Sequence, residues 1–372
     1  MRRYDFRTKL CELLEIEYPI ILAGMASRGK ATPPALVAAV SNAGGLGVMG
    51  GAGLDPEEIR GRIQEIRLLT DKSFGVDLLL PVTVASTHDT RSAVRQQLLQ
   101  EYPKHVEFVF SLMRKFNLPE TKVKEETFLS PEHIKKQVEV VLEEKVPVFA
   151  AGLGDPSWVI PRAHEQGMKV IGLAGSVRNA QRHMEAGVDI VVAQGTEAGG
   201  HTGTIANFPL IPQVVDAVKP IPVVAAGGIA DGRGVAGALA LGAVGVWIGT
   251  AFLVAEECII PGPQKEQILG GKSEDFVPSR TYTGKTARNY RNAVIQAWEE
   301  SGLDPLPMPL QGILMEDFTA AAREVGRYDL VNNPSGQVGG MLRKGKPAAI
   351  IMDELIKGAV ETIKELQSSV SG

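Results

Sequence analysis

The sequence predicts a (β/α)8 barrel with a helical insertion after its third strand and a smaller C-terminal helical cap. Three observations carry this expectation. Eight short β-branched or apolar runs recur along the chain, ending in or beside glycine. Most of the stretches between them carry helix signals, several opening with Ser, Thr or Asp before a 3.6-residue period. Eight β/α units in about 250 residues match a closed barrel. Runs that are apolar throughout belong to strands buried on both faces, as in a parallel sheet. An open doubly wound sheet is the alternative.

Taken in order, PIILAG (19–24) is the first strand, followed by the helical TPPALVAAVSNAG, and GLGVMG (45–50) is the second, followed by LDPEEIRGRIQEIRL. FGVDLLL (74–80) is the third. The segment 82–145 that follows is far too long for one crossover helix and contains the charged helical stretches STHDTRSAVRQQLLQEYPKHVEFVFSLMRKF and SPEHIKKQVEVVLEEK, read as an inserted lid plus the ordinary barrel helix. The strand–helix alternation then resumes. VPVFAAG (146–152) precedes DPSWVIPRAHEQG, KVIGLAG (169–175) precedes SVRNAQRHMEAG, and DIVVAQG (189–195) leads, past a glycine-rich loop, to LIPQVVDAVK. IPVVAAGG (221–228), then DGRGVAGALALGA, then GVWIGT (245–250) complete the set. Residues 255–345 hold many Pro and Gly, helical patterns at NYRNAVIQAWEES and MEDFTAAAREVG, and NNPSGQVGG; they are expected to form a separate cap. A closing helix at 347–367 assigns 1–254 and 346–372 to the barrel.

Composition narrows the function classes. The chain has 372 residues, 44% of them hydrophobic, enough for a sizeable core. A net charge of −4, a pI near 6.0 and no basic cluster interleaved with aromatics leave no electrostatic footprint for nucleic acid. No apolar run approaches the roughly 20 residues of a membrane span, and the charges scattered through the first residues argue against a signal peptide, so a cytoplasmic address is expected. Cys11 and Cys258 lie far apart and in no metal-ligating array, which suggests buried thiols and no metal site. Small-molecule chemistry is the starting point.

Motif searches return near misses. GLGVMG matches GxGxxG but reads as the strand itself rather than a strand-to-helix turn, which speaks against a dinucleotide site. GGKS (270–273) and TGKT (283–286) end like phosphate loops, but Glu266 and Ser279 stand where the first glycine is required. No HExxH or GxSxG occurs. The strongest signal is AAGGIADG (225–232) with GVWIGT, after the seventh strand and at the eighth. Barrels often hold phosphate in these loops, because glycine lets backbone N–H groups reach the anion and a helix N-terminus adds its dipole. Tight turns that only close the barrel are the simpler alternative.

QGTEAGGHTG (194–203) places His201 among four glycines, in the loop after strand six on the catalytic face. Small neighbours let an imidazole approach a flat ligand, with Gln194 and Glu197 available to bond a heterocycle edge or orient the ring. His105, His133, His164 and His183 sit in charged helical patterns and are expected to be solvated. His88, beside Asp89, either faces the pocket or caps a helix.

The stretches VVAQGTEAGGHTG, AAGGIADG and PIILAGM…SNAGGLGVMG, with TGKTARNYRN and SGQVGG further on, resemble the nitronate monooxygenase family in its histidine-containing class. The central motif is shared with flavin-dependent enoyl-ACP reductases and some NADH:quinone reductases. The resemblance implies an FMN-dependent TIM barrel. Its FMN contacts would be Met25, Asp77, Gln194, Gly199, Gly200, Gly227, Gly228 and the run Trp247, Ile248, Gly249, Thr250, with His201 the catalytic residue. It implies oxidation of a nitronate or nitroalkane by O₂ to a carbonyl compound and nitrite; a homo-oligomer is left open. Imidazole suits two roles here, a cation that pairs with the nitronate or a neutral base for the α-proton of a nitroalkane. Asp77 departs from the asparagine usual in the family, and a carboxylate there would oppose negative charge on a reduced ring unless it is protonated or paired. The insertion at 82–145 is a second departure from the shorter members. An NAD(P)H-dependent FMN reductase of an enoyl thioester or quinone is the alternative activity, and a phosphate-binding barrel without catalysis is a third reading.

Overall fold

The structure is a computed structural model that describes residues 4–27, 29–80, 91–121, 123 and 131–370. Eight parallel strands form the barrel: β1 (Ile20–Leu22), β2 (Gly47–Gly50), β3 (Phe74–Leu80), β4 (Val148–Gly154), β5 (Lys169–Ala174), β6 (Ile190–Gln194), β8 (Val223–Ala226) and β9 (Gly245–Ile248). β7 (Gly200–His201), β10 (Phe276–Ser279) and β11 (Ala287–Tyr290) form a small antiparallel sheet of their own, in the order β10-β11-β7. The barrel strands are hydrogen-bonded in the order β1-β9-β8-β6-β5-β4-β3-β2. The ring closes where Ile21 bridges Leu46, with the Leu22 N–H donating to the Leu46 carbonyl at 2.9 Å and the Leu46 N–H to that of Ile20 at 3.0 Å. GLGVMG is indeed strand rather than a phosphate-binding turn.

Strand alternation divides the apolar side chains between two layers. Ile21, Val48, Val148, Ile171, Val192, Val224 and Trp247 point inward. The N-terminal end of that interior is plugged by α1 (Lys9–Leu14), which contributes the buried Leu10, Cys11 and Leu14. Thr8 fixes the plug: its hydroxyl accepts from the Leu10 N–H and donates to the Val244 carbonyl beside β9. The outward-facing set meets the surrounding helices α2 (Pro34–Asn42), α3 (Pro56–Leu69), α6 (Pro131–Glu143), α7 (Ile160–Glu165), α8 (Val177–Ala186), α9 (Asn207–Ala217), α10 (Gly232–Ala240) and α15 (Ala348–Val370). Plugged at one end, the barrel leaves its C-terminal end for a ligand.

Among the described residues of the inserted segment, only those of α6 and the turn after it join the barrel's hydrophobic layer. The other two inserted helices, α4 (Arg91–Glu101) and α5 (Pro103–Lys115), share a second hydrophobic core with α13 (Ala293–Ser301) and α14 (Leu310–Glu324). Val94, Leu98, Val109 and Leu112 meet Ile295, Trp298, Ile313, Met315 and the fully buried Phe318 there, and Arg95 bridges Glu316 at 2.8 Å and Asp317 at 2.7 Å. The segments expected as a lid and as a separate cap are therefore halves of one helical unit. Each of these helices has a single apolar face, which finds cover only across the chain. We expect Phe318→Ala to destabilise this unit by about 3–5 kcal/mol, read as a lower denaturation midpoint. Excising 86–128 should likewise expose this core rather than leave a sound barrel.

Among the histidines, His183 corrects the sequence reading. It is 7% exposed, and its Nε2 lies 3.0 Å from the Leu173 carbonyl in a space left open by Gly172. Burial lowers its pKa below the usual imidazole value. His164 remains exposed and pairs with Asp189 at 2.9 Å. His88 lies outside the described residues. Cys11 and Cys258 are both buried and unpaired.

Candidate active site

A cavity of about 360 Å³ opens at the C-terminal ends of the barrel strands. Met25, Asp77, Gln194, Gly199, Gly200, His201, Gly227, Gly228, Trp247, Gly249 and Thr250 all line it. Ile248 does not. It follows the inward-facing Trp247 on β9, so its side chain turns outward into the layer between barrel and helices, where it is 1% exposed. A contiguous run of residues cannot all face the cavity, because side chains alternate along a strand. Among the described residues, nothing from 91–143 lines the cavity.

The loops after β8 and β9 present free backbone donors. Gly227 and Gly228 take φ values of 91° and 68°, the left-handed region that glycine occupies without strain. Among the described residues no acceptor meets the N–H groups of Gly227, Gly228, Gly249 or Thr250. The turn is held from behind by Asn207, whose side-chain amide donates to the Gly227 carbonyl. Glu197, in turn, accepts from the Asn207 N–H at 3.0 Å, so its carboxylate anchors the start of α9 rather than orienting the imidazole. Four unpaired donors around one end of a cavity suit a phosphate.

His201 occupies β7, a two-residue strand that pairs with β11 in the register Ala287↔His201 and Arg288↔Gly200. Gln194 fixes the loop from the barrel side, its amide donating to the His201 carbonyl at 2.8 Å, which leaves its side-chain oxygen for a heterocycle. The imidazole Nε2 lies 3.3 Å from the Thr283 hydroxyl oxygen. Burial, and to a lesser degree the positive charge of Lys285, lower the His201 pKa to about 4. The ring is therefore neutral at neutral pH. Asp77 is 6% exposed at the middle of β3 and held well above the usual carboxylate range by burial. Asp77, Glu197 and His201 are the only titratable side chains in the described lining.

Sequence reasoning missed Thr283 and Lys285, which reach His201 across more than eighty residues of chain, and Asn207, visible only as a polar residue ahead of a helical pattern. It also gave no place in the site to Asn332, Asn333, Pro334 and Gly336, although it singled out the stretch NNPSGQVGG; these residues line the cavity. That stretch is tied down by the Gly336 N–H, which donates to the Thr250 hydroxyl at 2.9 Å, and by the Gln337 N–H, which donates to the Glu197 carbonyl at 3.1 Å.

Comparison with known proteins agrees with this geometry. The family model described as nitronate monooxygenase matches residues 7–358. A Staphylococcus aureus protein named a probable nitronate monooxygenase is 35% identical, over 94% of this chain and 96% of its own. The structure of a nitroalkane oxidase from Streptomyces ansochromogenes superposes with a TM-score of 0.80 at 29% identity, over 96% of this chain and 99% of that one. That of FabK from Thermotoga maritima superposes with a TM-score of 0.77 at 33% identity, over 98% and 99%. With its whole barrel and its glycine-lined cavity accounted for, the chain belongs to the nitronate monooxygenase family of flavin-using oxidoreductases.

Proposed function

We propose that this chain uses FMN to oxidise alkyl nitronates, such as propionate 3-nitronate, with O₂ to a carbonyl compound and nitrite, and that His201 is its catalytic residue. The observation that carries the reading is a neutral imidazole standing among glycines in a cavity whose other titratable lining groups are two carboxyl groups. FMN fits the residues present. The unpaired N–H groups of Gly227, Gly228, Gly249 and Thr250 would hold its phosphate, and the amide oxygen of Gln194 and the carboxyl group of Asp77, which borders the cavity, would meet the ring. A volume near 360 Å³ lies within the range of small-molecule sites.

When bound, FMN supplies the electron acceptor for the substrate and the route to O₂. The chain's own residues do the rest. Neutral His201 can take the α-proton of a nitroalkane, with Thr283 holding the ring in register. A preformed nitronate needs no such step, and there the imidazole positions the nitro group as an uncharged partner. Likeness to FabK at 33% identity favours a second reading, reduction of an enoyl thioester or quinone by NAD(P)H.

Anaerobic mixing separates the two. We expect the flavin absorbance to bleach rapidly with propionate 3-nitronate alone. Bleaching only with NAD(P)H would replace the first reading by the second, and a protein that takes up no FMN would defeat both.

A further inference from the structure

Among the described residues, Asp77 is the only buried acidic side chain. The chain makes deliberate room for it. A Cβ on Gly24 would fall 2.3 Å from the Asp77 Cβ, and one on Gly152 would fall 2.8 Å from Oδ1, so both flanking positions exclude any larger residue while the carboxyl stays where it is. The groups packed against it bring no charge: Gly24 and Met25 after β1, Gly50 and Gly51 at the end of β2, and Gly152 of β4 are all uncharged, and the remaining titratable lining residues are Glu197 and His201, the latter neutral. The Gly152 backbone N–H faces the carboxyl group, and the buried Oδ1 meets no hydrogen-bond partner in the protein.

An ionised carboxylate is costly to bury without a counter-charge, and such a group keeps its proton instead. A neutral carboxylic acid offers both one donor and acceptor capacity. The Asp77 side chain borders the cavity, and a ligand in that space is the acceptor available to its hydroxyl.

We propose that Asp77 is held as the neutral acid and that its O–H donates to an acceptor on the ring of the bound flavin, supplying from a carboxyl group the donor an asparagine amide would give. The donor role rests on the FMN reading above; the protonation does not. Asp77 is thus a positioning residue for the ring, and the cavity wall it forms carries no negative charge to oppose a reduced ring.

Infrared spectroscopy tests the first half directly on the ligand-free protein. We expect a carbonyl band of a protonated acid at neutral pH that shifts in D₂O and is missing in Asp77→Asn. A wild-type spectrum without that band would overturn the proposal. Titrating FMN into the variants tests the second half. Asp77→Asn, which keeps a donor, should bind FMN within about twofold of wild type and leave its reduction potential unchanged, whereas Asp77→Leu should bind about tenfold more weakly, the usual scale of one lost hydrogen bond. Equal affinity in Asp77→Leu would overturn the donor role, and a clear rise in potential in Asp77→Asn would show that a carboxylate charge had been removed. Failure of the wild-type protein to take up FMN would defeat the proposed function and the donor role together, while the infrared band would still stand.

Discussion

His201→Asn is expected to keep its FMN and to lose roughly 10²–10⁴-fold in turnover of nitroalkanes, the range a positioned acid or base contributes. Retention follows from the geometry. The N–H groups proposed to hold the phosphate lie on the loops after β8 and β9, and the loop contact from Gln194 goes to the His201 backbone, which asparagine preserves. The pH dependence identifies the role. With its pKa lowered to about 4, His201 is already the free base across the neutral range. Activity on a neutral nitroalkane should therefore be flat near neutral pH and fall only as pH drops toward about 4, not rise through the ordinary imidazole value near 6.5. A cationic partner for the nitronate would require the proton that burial and Lys285 both oppose. Lys285→Gln removes one of the two and should move the acid limb upward. Initial rates on nitroalkane and on preformed nitronate, measured side by side, decide the matter. An equal loss on both substrates would exclude proton abstraction, and an unchanged rate on both would remove His201 from the chemistry.

Gly228→Val should yield a folded barrel that retains almost no FMN. The backbone at Gly228 sits at φ 68°, where a β-branched residue is strained. The added Cβ itself would meet only ordinary contacts, Glu197 Cβ at 3.5 Å and Asn207 Nδ2 at 3.6 Å. The damage therefore comes from the turn leaving its left-handed conformation, which scatters the unpaired N–H groups of Gly227 and Gly228. Gly228→Asn isolates this cause, because asparagine tolerates the left-handed region better than other residues with side chains. It should recover much of the binding that valine loses. Flavin content after reconstitution, set against circular dichroism of the apoprotein, measures both. Full occupancy in Gly228→Val would move the phosphate elsewhere.

Some of this was legible in the amino-acid order alone. Strands buried on both faces read as unbroken apolar runs, and glycine marks the turns that leave them, so PIILAG to GVWIGT outline the barrel with no other information. The same rule placed Asp77, His201 and Gly228 together, because every βα loop of a barrel opens on one end. Local pattern goes no further. Ile248 leaves the site because inward and outward positions alternate on β9, a phase set by the register with β1 rather than by composition. β7 is two residues long, too short for any periodicity, and exists only because β11 lies beside it. That pairing brings Thr283 and Lys285 to His201, while packing deprives the imidazole of water and holds its pKa near 4. Residue order was enough to put Asp77, Gln194, His201 and the glycines of the late loops at the mouth of the barrel. Their protonation follows from packing, because desolvation and charge are set by segments that are close in space and far apart in the chain.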